Sequence, residues 1–531
     1  MNLISVQFLL FCAIVVIVFY AVPKRFQWIV LLAASLYFYW TSGNRNILFV
    51  LITSISTYFA ACGIQKSLEY QKAWVKEHKG KIEKSQIKAF KEKCKKQQKT
   101  ILVLTLVLNF GLLCVFKYLH FAVEQINQLI TSFGGATAIP DAWSLIVPLG
   151  ISFYTFQTMG YLVDVYLKKT SAETNYFKVL LFVSFFPQMT QGPISNFKFL
   201  TTELFKEHTF TYRQYSWGVQ RMIWGFFKKI VIADWMSVFV NDVFQNYPSY
   251  TGITTLIGAF MYSVQIYADF SGYMDIVCGF CEILGIRLTE NFNRPYFSKS
   301  IAEYWRRWHI SLGAWFKTYI YYPIALSKWN QKLGKRLRKV FGKKVGQTMP
   351  ASIALVVVWL VTGLWHGASW AYIAWGGVNG IFIIFSLWME PVYDSWKRKL
   401  HIKENSFYWR AFMTIRTFVL VTFIKVLPEV GSLQDGFGLW KQIFTNHVIP
   451  HDLHQLLPFA HSKFKLLALA VSVLLIFITS MIQRKQPIRQ WLEDHTHYVT
   501  RLILFAFAII IIIHVESLIS DVAGGFLYEQ F

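Results

Sequence analysis

Residues 351–370 read A-S-I-A-L-V-V-V-W-L-V-T-G-L-W-H-G-A-S-W, an apolar stretch with one histidine, His366, near its end. No charged side chain occurs in residues 351–365, which is typical of a helix that crosses a lipid bilayer. Ionisable groups in such segments are costly and usually functional. His366 is therefore the first candidate for the chemistry of this chain.

Apolar segments of this kind recur along all 531 residues, of which 55% are hydrophobic and 18% aromatic. The mean hydropathy is +0.39, and no long polar domain interrupts the pattern. We expect an all-α polytopic membrane protein in the lipid bilayer, with roughly 11–13 membrane-embedded segments of about 20 residues each.

The net charge of +25, from 53 basic and 28 acidic residues, lies mostly in short loops between the apolar segments. This distribution follows the positive-inside rule, and the chain carries no recognisable nucleic-acid-binding module. The largest basic segment, residues 65–100, holds twelve lysines against four glutamates. We predict a helical, solvated cytoplasmic loop there, with some attraction for anionic headgroups.

Two groups of potential metal ligands are weak candidates. Cys278 and Cys281 form the single C-x-x-C pair of six cysteines, but they lie in an apolar run without a second ligand pair. Residues 447–461 hold four histidines at irregular spacing, as in a surface loop. We expect no metal site.

A break is predicted in the apolar segment at residues 179–193, which contains Pro187, Gly192 and Pro193. Irregular backbone at membrane depth survives only where protein or a water-filled cavity covers it. We therefore expect a re-entrant or broken segment here.

A second histidine, His309, stands in W-R-R-W-H-I-S-L. Large apolar side chains from Ile301 to Tyr319 recur at steps of four and three, which predicts one face of a helix lying at the membrane interface. His309 borders this face, beside Trp305 and Trp308. It is either a hydrogen-bonded interfacial histidine or a side chain that points into a reaction chamber.

The position of His366 has the same two interpretations, structural or catalytic. If Pro350 begins the helix, His366 lies about 24 Å along it. An imidazole accepts or donates a proton near neutral pH, and burial keeps it available as a base. Such a base can take the proton of an attacking hydroxyl. We find no G-x-S-x-G elbow that would indicate a covalent intermediate.

Acidic residues within the apolar segments are a third signal. Residues 267–275 read Y-A-D-F-S-G-Y-M-D and contain Asp269, Ser271 and Asp275. Carboxylates in such places have a charged partner or face water. They pair with arginine, support helix packing or line a substrate path.

Six motifs together resemble the membrane-bound O-acyltransferase superfamily, and most nearly its bacterial alginate O-acetyltransferase branch. They are P-L-G-I-S-F-Y-T-F-Q at 148–157, F-F-P-Q-M-T-Q-G-P-I at 185–194, D-F-S-G-Y-M-D at 269–275, E-N-F-N-R-P-Y at 290–296, Y-W-R-R-W-H-I-S-L at 304–312 and T-G-L-W-H-G-A-S-W at 362–370. Their order and spacing carry the resemblance, which extends over about residues 1–427.

The resemblance implies helices around a central funnel or tunnel in a single integral membrane domain over residues 1–531. Its core would cover about residues 100–427, followed by C-terminal helices at 466–520. It also implies His366 as the catalytic base, with His309 assisting in positioning or proton handling. The residues that we expect along the substrate tunnel are Asp269, Ser271, Asp275, Asn291, Trp305, Trp308, Trp365, Gln157 and Gln191.

The resemblance further implies that an acyl group, acetyl in this branch, passes from a cytoplasmic thioester to a hydroxyl outside. The donor would be acetyl-CoA or an acyl carrier, with no bound cofactor. The acceptor would be a polysaccharide or an extracytoplasmic acyltransferase- or esterase-like partner. We expect a multi-pass protein of the bacterial cell membrane.

The chain departs from the alginate-type pattern in two places. Lys317-Thr318 and residues 323–327, P-I-A-L-S, replace an Arg-Asp pair and P-L-G-G-N, and Lys425-Val-Leu-Pro stands near the position of an aromatic-arginine run. Three alternatives remain open: transfer of D-alanine from a carrier protein to teichoic acid, a non-enzymatic transporter, and acylation of a lipid or a protein. Since we find no internal repeat, the transporter has little support.

Overall fold

Helices account for nearly all regular structure in the computed structural model, which describes residues 3–42, 47–135, 139, 147–448 and 463–519. The chain divides into two compact units, Met1–Tyr215 with Cys281–Thr289, and Ser216–Phe280 with Glu290–Phe531. Two of the boundaries between the units fall inside helices α9 and α11, whose ranges are given below, and the third lies between Thr289 and Glu290.

The first unit is built from eight helices of the described residues. They are α1 (Val6–Ala21), α2 (Gln27–Ser42), α3 (Ile47–His78), α4 (Lys84–Ser132), α5 (Ile151–Tyr166), α6 (Tyr176–Ser184), α7 (Phe186–Met189) and α8 (Phe197–Phe205). Helices α3, α4 and α5 pack against one another, and α6 packs against α2 and α3.

The helices of the second unit follow in chain order. They are α9 (Tyr212–Phe226), α10 (Trp235–Gln245), α11 (Gly252–Ile283), α12 (Ile301–Arg307), α13 (Ile310–Phe316), α14 (Tyr322–Ala325), α15 (Lys328–His366), α16 (Trp370–Lys399), α17 (Phe407–Val426), α18 (Leu433–Thr445), α19 (Lys463–Ile482), α20 (Ile488–His495) and α21 (Tyr498–Ile519). A π-helical segment, Phe227–Asp234, joins α9 to α10.

Six helices of the described residues are long and apolar enough to cross a membrane, and two shorter apolar helices accompany them. The six segments are Ile47–His78, Lys84–Ser132, Lys328–His366, Trp370–Lys399, Phe407–Val426 and Tyr498–Ser517; the shorter two are Val6–Ala21 and Leu467–Ile482. The predicted all-α polytopic membrane fold is confirmed.

The basic segment at residues 65–100 forms a helical hairpin, as predicted. It comprises the end of α3 and the start of α4, and the ring of Trp74 stacks on that of Phe90 with 3.8 Å between their centroids. All twelve lysines are exposed. Helix α4 continues from this hairpin to Ser132.

The predicted break in residues 179–193 is confirmed. Helix α6 ends at Ser184, the backbone leaves helical geometry at Phe185, and the short α7 follows at once. Pro187 lies in the first turn of α7, where its missing N–H costs nothing. The Ser35 hydroxyl accepts the N–H of Phe186 across the break, so the freed backbone donor is satisfied inside the protein.

Helix α15 carries His366 as its last residue and begins earlier than predicted. Pro350 lies inside α15, and the helix is kinked instead at Gly342, where φ is 85°. The kink occurs there because glycine reaches this left-handed region without steric penalty. Our expectation that Pro350 begins the helix was therefore wrong.

Candidate functional site

The position of His366 follows from the close packing of α15 on α16. A Cβ atom at Gly363 would clash with the backbone carbonyl oxygen of Tyr372, and one at Gly376 would clash with that of Trp359. Only glycine allows the two backbones to approach this closely. The room that Gly363 leaves beside His366 is thus filled by α16.

The His366 side chain is buried, with 5% of its surface exposed. Its ring meets those of Trp365 and Trp375 edge-on, with centroid distances of 4.8 and 4.9 Å. The ring of Tyr372 lies parallel to it at 6.5 Å. Aromatic contacts on several sides fix the orientation of the imidazole at the end of α15.

His309 does not lie within a helix, which corrects the predicted continuous helix from Ile301 to Tyr319. Helix α12 ends at Arg307 and α13 begins at Ile310, with His309 between them in the left-handed region at φ 49°. An isolated β-bridge pairs Trp308 with Phe292 at this point. Pairing with a neighbouring segment therefore overrides the helical periodicity of the sequence.

Asn291 holds this turn in place. Its backbone carbonyl accepts the N–H of Ile310 at 3.1 Å, and its side-chain oxygen accepts the N–H of Ser311 at 2.9 Å. We predicted Asn291 as a tunnel residue; in the structure, its side chain binds the backbone next to His309.

His309 is 2% exposed, and it lies outside the six candidate spans. Burial lowers the pKa of its imidazole to about 3, because an apolar environment disfavours the charged ring. The ring meets Phe270 edge-on at 4.9 Å. His309 is therefore neutral at physiological pH.

The indole of Trp365 links the two histidines. Its ring contacts His309 at a centroid distance of 6.1 Å and His366 at 4.8 Å. The structure thus brings His309 and His366 together around one tryptophan, although they lie 57 residues apart in the chain.

A cavity of about 30 Å³ adjoins His366. Such a volume admits a water molecule or two. Its lining residues are Tyr262, Ile266, Trp305, Trp308, His366, Tyr372, Trp375, Lys425, Pro428 and Glu429. Two predicted tunnel residues, Trp305 and Trp308, therefore line the same cavity as His366. The Trp305 indole N–H donates to the side-chain oxygen of Asn379 at 2.9 Å, which fixes this part of the wall.

Sequence reasoning missed two charged residues of this cavity, Lys425 and Glu429. Lys425 occupies the last turn of α17, a candidate span that also contains Arg410 and Arg416, and a lysine in such a segment was an available signal. Burial raises the pKa of Glu429, which lies beyond the span, to about 7, opposed by a hydrogen bond from Tyr262 and by the charge of Lys425.

The predicted tunnel residues of α11 take part in ion pairs. Asp269 accepts a hydrogen bond from Lys229 at 2.9 Å. Asp275 pairs with Arg221 at 2.9 Å and with Lys228 at 2.6 Å. Lys228 also donates to the hydroxyl of Ser271 at 2.8 Å. Asp275 thus pairs with an arginine, which was one of the interpretations of these carboxylates, whereas Asp269 pairs with a lysine.

Gln157 and Gln191 lie in the first unit, and both are buried. The amide of Gln157 donates to the side-chain oxygen of Gln188 at 3.5 Å. Gln188 donates in turn to the hydroxyl of Ser195 at 2.6 Å. The two predicted glutamines therefore belong to the polar surroundings of the α6–α7 break.

Within the described residues, no three His, Cys, Asp or Glu side chains are grouped so that they could hold a metal ion. Most of the predicted histidine loop falls in residues 449–462, which lie outside the described part of the chain.

Comparison with known proteins extends these observations. The chain is 34% identical over 344 residues to a probable alginate O-acetylase from Pseudomonas aeruginosa, which covers 65% of this chain and 60% of that protein. It is 31% identical over 402 residues to a peptidoglycan O-acetyltransferase from Helicobacter pylori. This match covers 70% of this chain and 66% of that protein. A teichoic acid D-alanyltransferase from Bacillus subtilis is 25% identical to this chain over 288 residues. This match covers 53% of this chain and 68% of that protein.

These matches cover only part of the relatives. The chain spans 60% of the P. aeruginosa protein and 52% of a probable alginate O-acetylase from Azotobacter vinelandii. A family model matches residues 83–424 of this chain, which include His309, His366 and most of the residues that line the cavity. The chain is a member of the membrane-bound O-acyltransferase family.

Proposed function

We propose that this protein transfers an acyl group, most simply acetyl, from a thioester to hydroxyl groups of an extracytoplasmic polysaccharide. Family membership and the O-acetyltransferase names of the relatives support the reaction class. The observation that carries the assignment to a site is that His366 lines a cavity with Trp305 and Trp308.

In the proposed reaction, His366 acts as the base. Its neutral imidazole takes the proton of the acceptor hydroxyl while the oxygen attacks the thioester carbonyl carbon. A tetrahedral intermediate forms and collapses, the carbon–sulfur bond breaks, and the leaving thiolate takes the proton from His366. The ester is formed without a covalent enzyme intermediate, and the imidazole returns to its starting state.

His309 acts in this scheme as a positioning residue. Its pKa of about 3 keeps it neutral, so it is poorly suited to store a proton during turnover. Its contact with Trp365, which also contacts His366, supports a role in holding the catalytic imidazole in place.

The substrates approach this site from opposite sides of the membrane in our proposal. Acetyl-CoA or another acyl thioester would enter from the cytoplasm, and the polysaccharide or an extracytoplasmic acyltransferase- or esterase-like partner would receive the acyl group outside. Gln157 and Gln191 stay in the proposal as residues of the substrate path. Asp269, Ser271 and Asp275 would support that path through the ion pairs of α11.

Mass spectrometry of surface glycans tests the proposal, with cells that carry the intact gene compared with cells in which it is deleted and then restored. We expect alkali-labile acetyl esters that disappear on deletion and return on restoration. D-alanyl esters on teichoic acid would favour the alternative suggested by the B. subtilis relative. Identical glycans in all strains would contradict acyl transfer.

A further inference from the structure

Among the described side chains of the second unit, three lysines are buried, and they differ in how their charge is balanced. Lys228 pairs with Asp275 at 2.6 Å, and Lys229 pairs with Asp234 at 2.6 Å and Asp269 at 2.9 Å. Lys425 is 5% exposed, yet no carboxylate of the described residues lies within the 4.0 Å limit of an ion pair with it. A buried charge without such a partner is costly and needs another explanation.

Aromatic rings surround the ammonium group of Lys425. Its Nζ atom lies 3.7 Å from the ring centroid of Trp308, 5.0 Å from that of Tyr296 and 5.3 Å from that of Tyr304. The rings of Tyr296 and Trp308 are each stacked on Tyr304. Such contacts stabilise a cation without neutralising it.

One hydrogen bond fixes the direction of the ammonium group. Lys425 donates to the hydroxyl of Tyr296 at 2.9 Å, and that hydroxyl donates to the backbone carbonyl of Ser263. An ammonium has three N–H donors. The Tyr296 hydroxyl takes one of these donors, and the aromatic rings hold the ammonium group in one place without neutralising its charge.

Those surroundings include the cavity that His366 lines. Lys425 is the single Lys or Arg among the described residues of the lining. Two other donors of the wall are engaged: the Trp305 N–H donates to Asn379, and Tyr262 donates to Glu429. Glu429 also lines the cavity, but its carboxylate does not lie within 4.0 Å of the Lys425 ammonium group.

We propose that Lys425 stabilises the oxyanion of the tetrahedral intermediate in the reaction assigned above to His366. As the acceptor oxygen bonds to the carbonyl carbon, the carbonyl π electrons move onto oxygen, and Lys425 donates an N–H to that oxygen. When the intermediate collapses, the electrons reform the carbonyl and the thiolate leaves. A fixed cation directed at developing charge is the kind of group that accelerates such a step. This inference rests on the proposed function.

The test compares purified wild-type protein with the Lys425→Met and Lys425→Gln variants and with the control Lys441→Met, which removes an exposed lysine of the same unit. We expect kcat to fall about 100- to 1,000-fold in both Lys425 variants, as on loss of an oxyanion donor, with KM within a few-fold of wild type. The control should match wild type.

Thermal unfolding separates this role from a structural one. Since Lys425→Met replaces an unpaired buried charge with a neutral side chain of similar length, its Tm should equal or exceed that of wild type. An unchanged kcat, a rise in KM alone, or loss of kcat together with a clear fall in Tm in both variants would overturn the inference. If wild type transfers no acyl group at all, the proposed function itself fails. If wild type transfers acyl groups and the Lys425 variants keep the full wild-type kcat, the inference alone fails.

Discussion

The side-chain oxygen of Asn291 lies 2.9 Å from the backbone nitrogen of Ser311, two residues after His309. This hydrogen bond joins the segment before α12 to the first turn of α13 and so determines where the His309 ring is held. Truncation in Asn291→Ala leaves a buried N–H without this acceptor, at a cost of about 1–3 kcal/mol.

We therefore expect a lower Tm and reduced acyl transfer for Asn291→Ala. The exposed Asn293 provides a matched control, because Asn293→Ala should stay within about 0.5 kcal/mol of wild type. Thermal unfolding and transfer rates measured on both variants check the prediction. Equal Tm values for the two variants would show that the Asn291 contact does not stabilise the turn.

His309→Asn tests the imidazole separately from the backbone. Asparagine tolerates the left-handed conformation that His309 adopts at φ 49°, so the variant should keep its fold while acyl transfer falls severely. The control is His401→Asn, which changes an exposed histidine with the same φ of 49°. If His309→Asn transfers acyl groups at the wild-type rate, the ring has no part in the reaction.

Adjacent glycines of α16 test the close packing that positions His366. A Cβ at Gly376 would clash with the carbonyl oxygen of Trp359, whereas one at Gly377 would meet no atom within 4 Å. We expect Gly376→Ala to destabilise the protein by about 1–3 kcal/mol and to slow transfer. Gly377→Ala should be neutral or stabilising by up to about 1 kcal/mol. A reversed order of Tm values would refute the packing argument.

Glu429 should make stability depend on pH. Because the pKa of Glu429 is raised from 4.5 to about 7 in the folded protein, the folded state binds the proton more tightly than the unfolded state. The contribution of Glu429 to the free energy of unfolding is greatest below pH 4.5 and is lost as the pH rises towards 7. When the pH is raised from 5 to 7.5, the Tm of Glu429→Gln should fall less than the Tm of wild type. The same decline in both proteins would mean that Glu429 is not the group responsible.

Much of the fold could be predicted because long apolar segments, and the Pro and Gly residues that interrupt them, determine helices from the neighbouring sequence alone. The break at Phe185 follows from Pro187, Gly192 and Pro193 in an apolar run. The two histidines could also be singled out, since each stands among aromatic residues. The helix through His309 could not be predicted correctly, because its interruption depends on Asn291 and Phe292, which precede α12 in the chain.

The composition of the cavity was harder to predict. Lys425 comes to His366 through the packing of α16 against α17 and of α12 against both, and periodicity within one segment carries no information about such contacts. The partners of Asp269 and Asp275 likewise come from the π-helical segment and α9, so the sequence left the interpretation of these carboxylates open.

The most direct test measures acyl transfer by purified wild-type protein and by His366→Ala, with size-exclusion profiles and Tm values to show that both are folded. As His366 is the proposed base, we predict a loss of at least about 100-fold in kcat in a variant that remains folded in detergent or lipid. Transfer by folded His366→Ala at the wild-type rate would contradict the account.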